Sequence, residues 1–316
     1  MVWIGGQKLS HIFRYIIKRS LQTLVVLFCI VLISFFLIRI AGGNPARMVL
    51  PESATEEAVA AMEIKLGLDK PLPVQFLMYV SDLLHGDLGT SSHYSMPVLE
   101  LVTGRLPNTL LLAFSSVLVG CMLCIPLGII AGSNKGSIID FITMFFALLG
   151  QSMATVWLAV LLIFIFSVEL GWLPAIGTGS IKNMILPVLT LAYPMAAETT
   201  RMGRSGMIDA LGEDYITATY AKGIKPFVVN WKYAFKNAVC PVITLIGIKL
   251  GTYLGGTIVV ESIFSWPGIG QLLVTAIGQR DYALVQSLLL VNAAMFAIVN
   301  LIVDIINSFV DPRISL

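Results

Sequence analysis

The sequence predicts an all-α integral membrane fold of about six transmembrane helices, with a small helical extracytoplasmic insertion after the first. Three observations carry this. Hydrophobic residues make up 57% of the 316-residue chain and charged ones 12%, with a mean hydropathy of +0.89, far outside the range of soluble domains. The apolar residues fall into runs of the length a helix needs to cross a bilayer. The polar residues gather instead into an acidic block at 42–105 and a basic island at 209–241.

In chain order, Lys8, Arg14, Lys18 and Arg19 precede the apolar run 20–41, which is too long for a signal-peptide core and lacks a small-residue cleavage site. Residues 1–41 are therefore a cytoplasmic N-terminus and an uncleaved first transmembrane helix, the positive flank setting the orientation. Arg39 near its outer end snorkels to the headgroups. Residues 42–105 form the extracytoplasmic unit, where Glu52, Glu56, Glu57, Glu63, Asp69, Asp82, Asp87 and Glu100 outnumber Arg47, Lys65, Lys70 and Arg105. Ser53 and Glu56 resemble a capping box, and Gly67 closes that helix. Pro71 and Pro73 introduce a second amphipathic segment and Pro97 a third that leads into the membrane. His85 and His93, with Asp87 between them, lack a further clustered ligand and are read as solvated loop histidines, with no metal site.

Residues 106–316 make the transmembrane core, with spans at 106–131, 138–168, 183–202, 239–260 and 283–309. Starting from an internal N-terminus, these place residues 134–136, the island and the C-terminus inside. Lysine and arginine agree: the short outer loops carry only Lys182 and Arg280, whereas the inner segments carry Lys135, Arg201, Arg204, Lys222, Lys225, Lys232, Lys236 and Arg313. Pro126, Pro187, Pro194 and Pro241, with glycines at 247, 251, 255 and 256, allow kinks and close crossings. Cys121 and Cys124 form a C-x-x-C without a second ligand pair, so they are packed thiols.

Within the island, Glu213 and Asp214 stand at the start of a short helix, Lys222 in its last turn and Gly223 at its left-handed end. Pro226 opens the next helix. Ile216, Tyr220 and Ile224 form the expected apolar stripe, leaving Asp214, Thr217, Ala218, Ala221 and Lys222 to a partner. An interfacial helix that only anchors the loop fits composition equally well.

Other chemistry finds little footing. The net charge of +2 and scattered basic residues disfavour nucleic acid. The stretch GSNKGS at 132–137 lacks the spacing and lysine of a phosphate-cradling loop, and no nucleophile, base and orienting acid are grouped as hydrolysis requires. The chain is expected to be no enzyme and to hold no cofactor. Lys249 lies in the middle of the span 239–260, at a cost of about 2.5–3.5 kcal/mol on insertion scales. Either it lines a substrate pathway, together with Tyr253 and Glu198, or it pairs with a carboxylate or backbone carbonyls, on a partner chain for instance.

Seven motifs in order, LGLDKPLPVQF (66–76), GDLGTS (86–91), RLPNTLLLA (105–113), EDYITATYAKG (213–223), KNAVCPVIT (236–244), ESIFSWPGIGQLL (261–273) and DPR (311–313), resemble permease subunits of the bacterial oligopeptide, dipeptide and nickel importers driven by ATP. That resemblance implies the type I importer permease fold, a bacterial inner-membrane location, and a coupling loop at 203–237 whose Glu213–Gly223 segment docks into an ATP-binding subunit. Thr217, Ala218, Thr219 and Gly223 stand where the generic importer pattern has Glu-Ala-Ala and Gly, so Ala218 and Gly223 carry over best. It implies a second related permease, two ATP-binding subunits that hold ATP and Mg, and an extracytoplasmic solute-binding protein, with peptides as substrate and nickel or a metal chelate as the alternative. Two readings of other classes are an ion-driven secondary transporter and a membrane scaffold. The first calls for paired repeats and midplane carboxylates, and Glu198, Asp140 and Asp304 all fall toward the inner ends of their spans.

Overall fold

The computed structural model describes residues 3–40, 46–47, 50, 55–65 and 67–310. Ser53 of the capping box, the side chain of Arg39, and the DPR motif with Arg313 lie outside the described residues.

Helix α1 (Trp3–Ile40) carries the basic flank and the first apolar run as one rod. Its stretch Ile16–Phe36 turns Leu21, Leu24, Phe28 and Ile33 outward, as a lipid-facing helix does. Arg19 Nε pairs with Asp304 Oδ2 at 3.3 Å, tying the basic end of α1 to the last span. The insertion begins with α2 (Glu56–Lys65), closed by Gly67 at φ +65°, where Gly67 N–H donates to Ile64 O and Leu68 N–H to Glu63 O, the Schellman pattern. Helix α3 (Leu72–Leu84) starts after Pro71 and lies on α1 through Phe76 against Phe35 and the Tyr79 hydroxyl 2.9 Å from Ser34 Oγ.

The GDLGTS loop is pinned to the core by Asp281, which is 1% exposed. Its carboxylate accepts from Ser91 Oγ (2.5 Å), Ser92 Oγ (3.3 Å) and His93 N–H (3.2 Å), and caps the last helix through Leu284 N–H (3.1 Å). Helix α4 (Val98–Ser133) then runs unbroken from the insertion through the membrane, across the boundary expected at 105.

The expected span 138–168 is a bent pair, α5 (Ile138–Ser152) and α6 (Thr155–Ile163, continued by a π-turn Phe164–Glu169), meeting at 105°. Ala154 adopts an extended conformation at the corner, which ends the helical hydrogen bonding. Helix α7 (Ile181–Leu211) occupies the centre, packed by α4, α5 and α9. Small residues set the closest approach: a Cβ on Gly132 of α4 would lie 2.4 Å from Met207 Cβ of α7.

After α8 (Asp214–Ala221) the chain enters α9, Pro226–Val228 joined through a π-turn Val229–Ala234 to Phe235–Gly256. Gly247, Gly251 and Gly255, one turn apart, meet Val303, Asn300 and Phe296 of α12 (Tyr282–Val310). At about 100° per residue, Lys249 therefore stands on the opposite face of α9, toward α7. Short helices α10 (Ile258–Ile263) and α11 (Ile269–Gly278) lie between α9 and α12.

Among the described residues, four helical stretches are long and apolar enough to cross a membrane, Ile16–Phe36, Val98–Ser133, Pro226–Gly255 and Tyr282–Ile306, and the bent pair makes a fifth if it counts as one span. The sixth expected span, 183–202, lies in α7, which falls outside that class by composition. Glu198 and Arg201 lie near the inner end of that span, and Arg204 and Asp209 lie beyond it. Arg204 is held by Asp140 and Glu198 by Lys249, and paired charges beside protein neighbours are tolerated where lipid would reject them.

Candidate functional site

Helix α8 is built by its two ends. Gly212 closes α7 with its N–H on Ile208 O, and Glu213 turns extended (φ −80°, ψ 146°) so that its carbonyl accepts the Ile216 N–H at 3.0 Å. Asp214 occupies the first turn, where its charge complements the helix dipole. Lys222 is the C-cap residue, and Gly223 follows at φ +74° with its N–H on Tyr220 O at 2.9 Å.

Eight residues would not hold a helix alone. Ile216, 1% exposed, plugs it into a cluster with Ile129, Met207, Ala210, Val229 and Ala234, and the Tyr215 hydroxyl accepts from Asn237 Nδ2 at 2.6 Å. The buried stripe differs from the expected one. Thr219 takes the inner place beside Ile216, its hydroxyl satisfied by Tyr215 O at 2.7 Å, while Tyr220 is 42% exposed and reaches toward Asn230. Ile224 is half-buried, but it lies past the left-handed turn, so the four-residue period stops before it. Residues three apart share a face as readily as residues four apart.

Glu213, Asp214, Thr217, Ala218, Ala221, Lys222 and Gly223 are all exposed. Thr217, Ala218 and Ala221 make a low strip along which another backbone can approach, with charges at both ends. Beside it stand Phe227 (69% exposed) and Trp231, rings 5.7 Å apart. Sequence reasoning passed over this pair, although two aromatics four apart in a polar island were the available signal.

The second group of polar residues lies among the spans. Arg204 makes a two-pronged bridge to Asp140 (2.5 and 2.7 Å), and Asp140 also accepts the Gly136 N–H at 2.9 Å, so α5, α7 and the turn between α4 and α5 are locked together. Arg201 donates to Gln151. Lys249 Nζ meets Glu198 Oε2 at 2.6 Å, so the partner of Lys249 belongs to its own chain. Glu198 is thirteen residues from the end of α7 at Leu211 and Lys249 fourteen from Phe235, which puts both about 20 Å from those helix ends. Helix α7 continues past Glu198 to Leu211, beyond the expected end of the span at 202. Tyr253, one turn beyond Lys249, donates its hydroxyl to Leu191 O at 2.7 Å and packs beside Phe264 and Trp266. An open cleft of about 560 Å³ between α5 and α7 is lined by Glu198, Arg201, Arg204, Gln151, Leu148 and Met202, among others.

A third constellation appeared in the sequence only as two separate motifs. Glu261, fully buried, accepts from Thr109 Oγ1 (2.8 Å), Thr257 Oγ1 (2.7 Å) and Gln271 N–H (3.0 Å). Thr109 Oγ1 in turn accepts the Ile269 N–H (2.9 Å), and Asn108 and Trp266 exchange bonds with each other's neighbourhood, Asn108 Nδ2 to Pro267 O and Trp266 Nε1 to Asn108 O. RLPNT and ESIFSWPGIGQ are thus two halves of one knot. Gly268 leaves room for the carboxylate, since a Cβ there would fall 2.3 Å from Glu261 Oε2.

Comparison with known proteins matches this arrangement to a family. Residues 124–316 match the binding-protein-dependent transport system inner membrane component, and residues 12–113 match the N-terminal membrane component of the same systems. The chain is 39% identical to the dipeptide transport system permease protein DppB of Alkalihalophilus pseudofirmus, over 95% of this chain and 99% of that one. It is 37% identical to the oligopeptide transport system permease protein AppB of Bacillus subtilis, over 95% and 99%. Among solved structures, the MetNI methionine ABC transporter in inward-facing conformations superimposes with a TM-score of 0.57 at 20% identity, over 67% of this chain and 97% of the other, a likeness of fold. The chain belongs to the family of inner-membrane permease components of binding-protein-dependent transport systems.

Proposed function

We propose that this chain is one of two membrane halves of an ATP-driven importer and that, with a second related permease, it forms the pathway for peptides delivered by an extracytoplasmic solute-binding protein. The relatives named for dipeptides and oligopeptides over nearly the whole chain support peptides over nickel or a metal chelate. ATP and Mg are held by two separate ATP-binding subunits, and α8 is the contact through which they act. The observation that carries this reading is the division of α8 into an anchored face, Ile216 and Thr219, and an exposed one, Thr217, Ala218, Ala221 and Lys222. Nucleotide binding closes the ATP-binding subunits, draws the two coupling helices together and turns the cavity outward, and hydrolysis resets it. This requires the coupling contacts to differ between the two states, so that nucleotide favours one of them. The N- and C-termini then face the cytoplasm, as the distribution of lysine and arginine suggests.

The test is reconstitution of the chain with its partner permease and ATP-binding subunits in liposomes. Uptake of labelled peptide that needs both ATP and loaded binding protein is expected. Uptake driven by an ion gradient alone would overturn the reading in favour of a secondary transporter.

A further inference from the structure

The two ion pairs on α7 are built differently. Asp140 has 6% of its side chain exposed, and with Arg204 and the Gly136 N–H both of its oxygens are engaged. Such a pair is a clamp. Glu198 and Lys249 touch through one contact of 2.6 Å and leave 35% and 27% of their side chains exposed. Neither has another hydrogen bond among the described residues, so one carboxylate oxygen and two ammonium hydrogens remain unspent. Lys249 stands in the middle of the expected span 239–260, where a charge is costly unless it is paired or faces water. Glu198 faces the 560 Å³ cleft, whose wall also carries Leu148, Met202 and Arg201, the last hydrogen-bonded only to the neutral Gln151 among the described residues.

We propose that Glu198 and Lys249 form a binding site for the charged groups of a zwitterionic peptide within the pathway, Glu198 taking an ammonium and Lys249 a carboxylate. The pair holds itself closed when no substrate is present, and a passing zwitterion replaces each partner with an equivalent one. Arg201 adds uncompensated positive charge to the same wall, so the site favours peptides with an additional carboxylate over those with an additional amine. Met202 and Leu148 give the peptide's side chains an apolar surface. This inference rests on the peptide-importer reading above.

The experiment uses the reconstituted complex and three tripeptides, Ala-Glu-Ala, Ala-Ala-Ala and Ala-Lys-Ala, with uptake of each normalised to the measured occupancy of the binding protein. Lys249→Gln is expected to lower the ratio of acidic to basic peptide uptake about fivefold, and Glu198→Gln to raise it by a similar factor. The double variant Glu198→Gln with Lys249→Gln leaves no unpaired charge and covers the case in which single variants fail to assemble. It is expected to assemble and to lower uptake of all three peptides about fivefold at equal occupancy of the binding protein. An assembled double variant with wild-type uptake of all three would overturn the site and leave the pair a structural one. Absence of ATP-dependent uptake of any peptide by the wild type would instead count against the peptide-importer reading itself.

Discussion

Glu261→Ala removes the acceptor at the centre of the knot between α4, α10 and α11. Three donors, the buried hydroxyls of Thr109 and Thr257 and the half-buried Gln271 N–H, lose their partner at once. An unsatisfied buried donor costs about 1–3 kcal/mol, and the two hydroxyls can rotate toward other acceptors, so the expected loss is about 3–5 kcal/mol. At about 2–4 °C per kcal/mol for a domain of 150–250 residues, the apparent midpoint falls by the order of 10 °C. Glu261→Gln keeps the shape but must aim its amide N–H₂ either at the Gln271 N–H or at Thr109, whose oxygen already accepts from Ile269, for a loss of about 1–3 kcal/mol. The assay heats the detergent-purified complex at a fixed rate and follows labelling of buried Cys124 in this chain, with exposed Cys29 as the unheated baseline. A wild-type midpoint for Glu261→Ala would refute the knot as a source of stability.

Other consequences follow from single positions. Gly268→Ala places a Cβ 2.3 Å from the Glu261 carboxylate, which three hydrogen bonds hold in place, and is expected to lower the same midpoint. Gly223→Asp meets open space but must hold φ +74°, at a cost of about 1–2 kcal/mol, so it is expected to leave the chain in the membrane while abolishing stimulation of ATPase activity by loaded binding protein; unimpaired stimulation would remove this turn from the coupling contact. Asp281→Ala releases Ser91, Ser92 and His93, and the loop at 86–97 is expected to become sensitive to protease added outside. A cysteine at Thr178 is expected to react with an impermeant thiol reagent added outside and one at Asp209 to resist it; the reverse would overturn the orientation.

What was legible in the sequence was mostly local. Gly67 and Gly223 both sit at positive φ because a left-handed residue is what ends a helix, and the chain signals that with a single residue type. The order of helices, the exposed strip of α8 and the close crossing at Gly247, Gly251 and Gly255 were likewise readable. The corner between α5 and α6 was not, since no proline or glycine stands at 152–154 to mark it. The expected span 183–202 lies in helix α7, whose charges are tolerated through ion-pair partners that periodicity does not reveal. The choice of Thr219 over Tyr220 for the inner face of α8 depended on the shape of the pocket under it, and both residues fit a helical stripe. Long-range pairs were the least accessible. Lys249 announced itself by its cost, but its partner lies 51 residues away on another helix, and Glu261 meets Thr109 across 152.

Helix α8 is proposed to hand the energy of ATP to the membrane core. The most direct measurement is a cross-link from a cysteine at Ala218, in the middle of the exposed strip, to a cysteine scanned across the surface of the ATP-binding subunit. A specific cross-link is expected that forms in the assembled importer, changes in yield between nucleotide-free and ATP-bound states, and blocks uptake once formed. If the cysteine at Ala218 stayed free to react with a soluble thiol reagent in the assembled complex in every nucleotide state, α8 would be an anchor at the membrane surface and not a coupling helix.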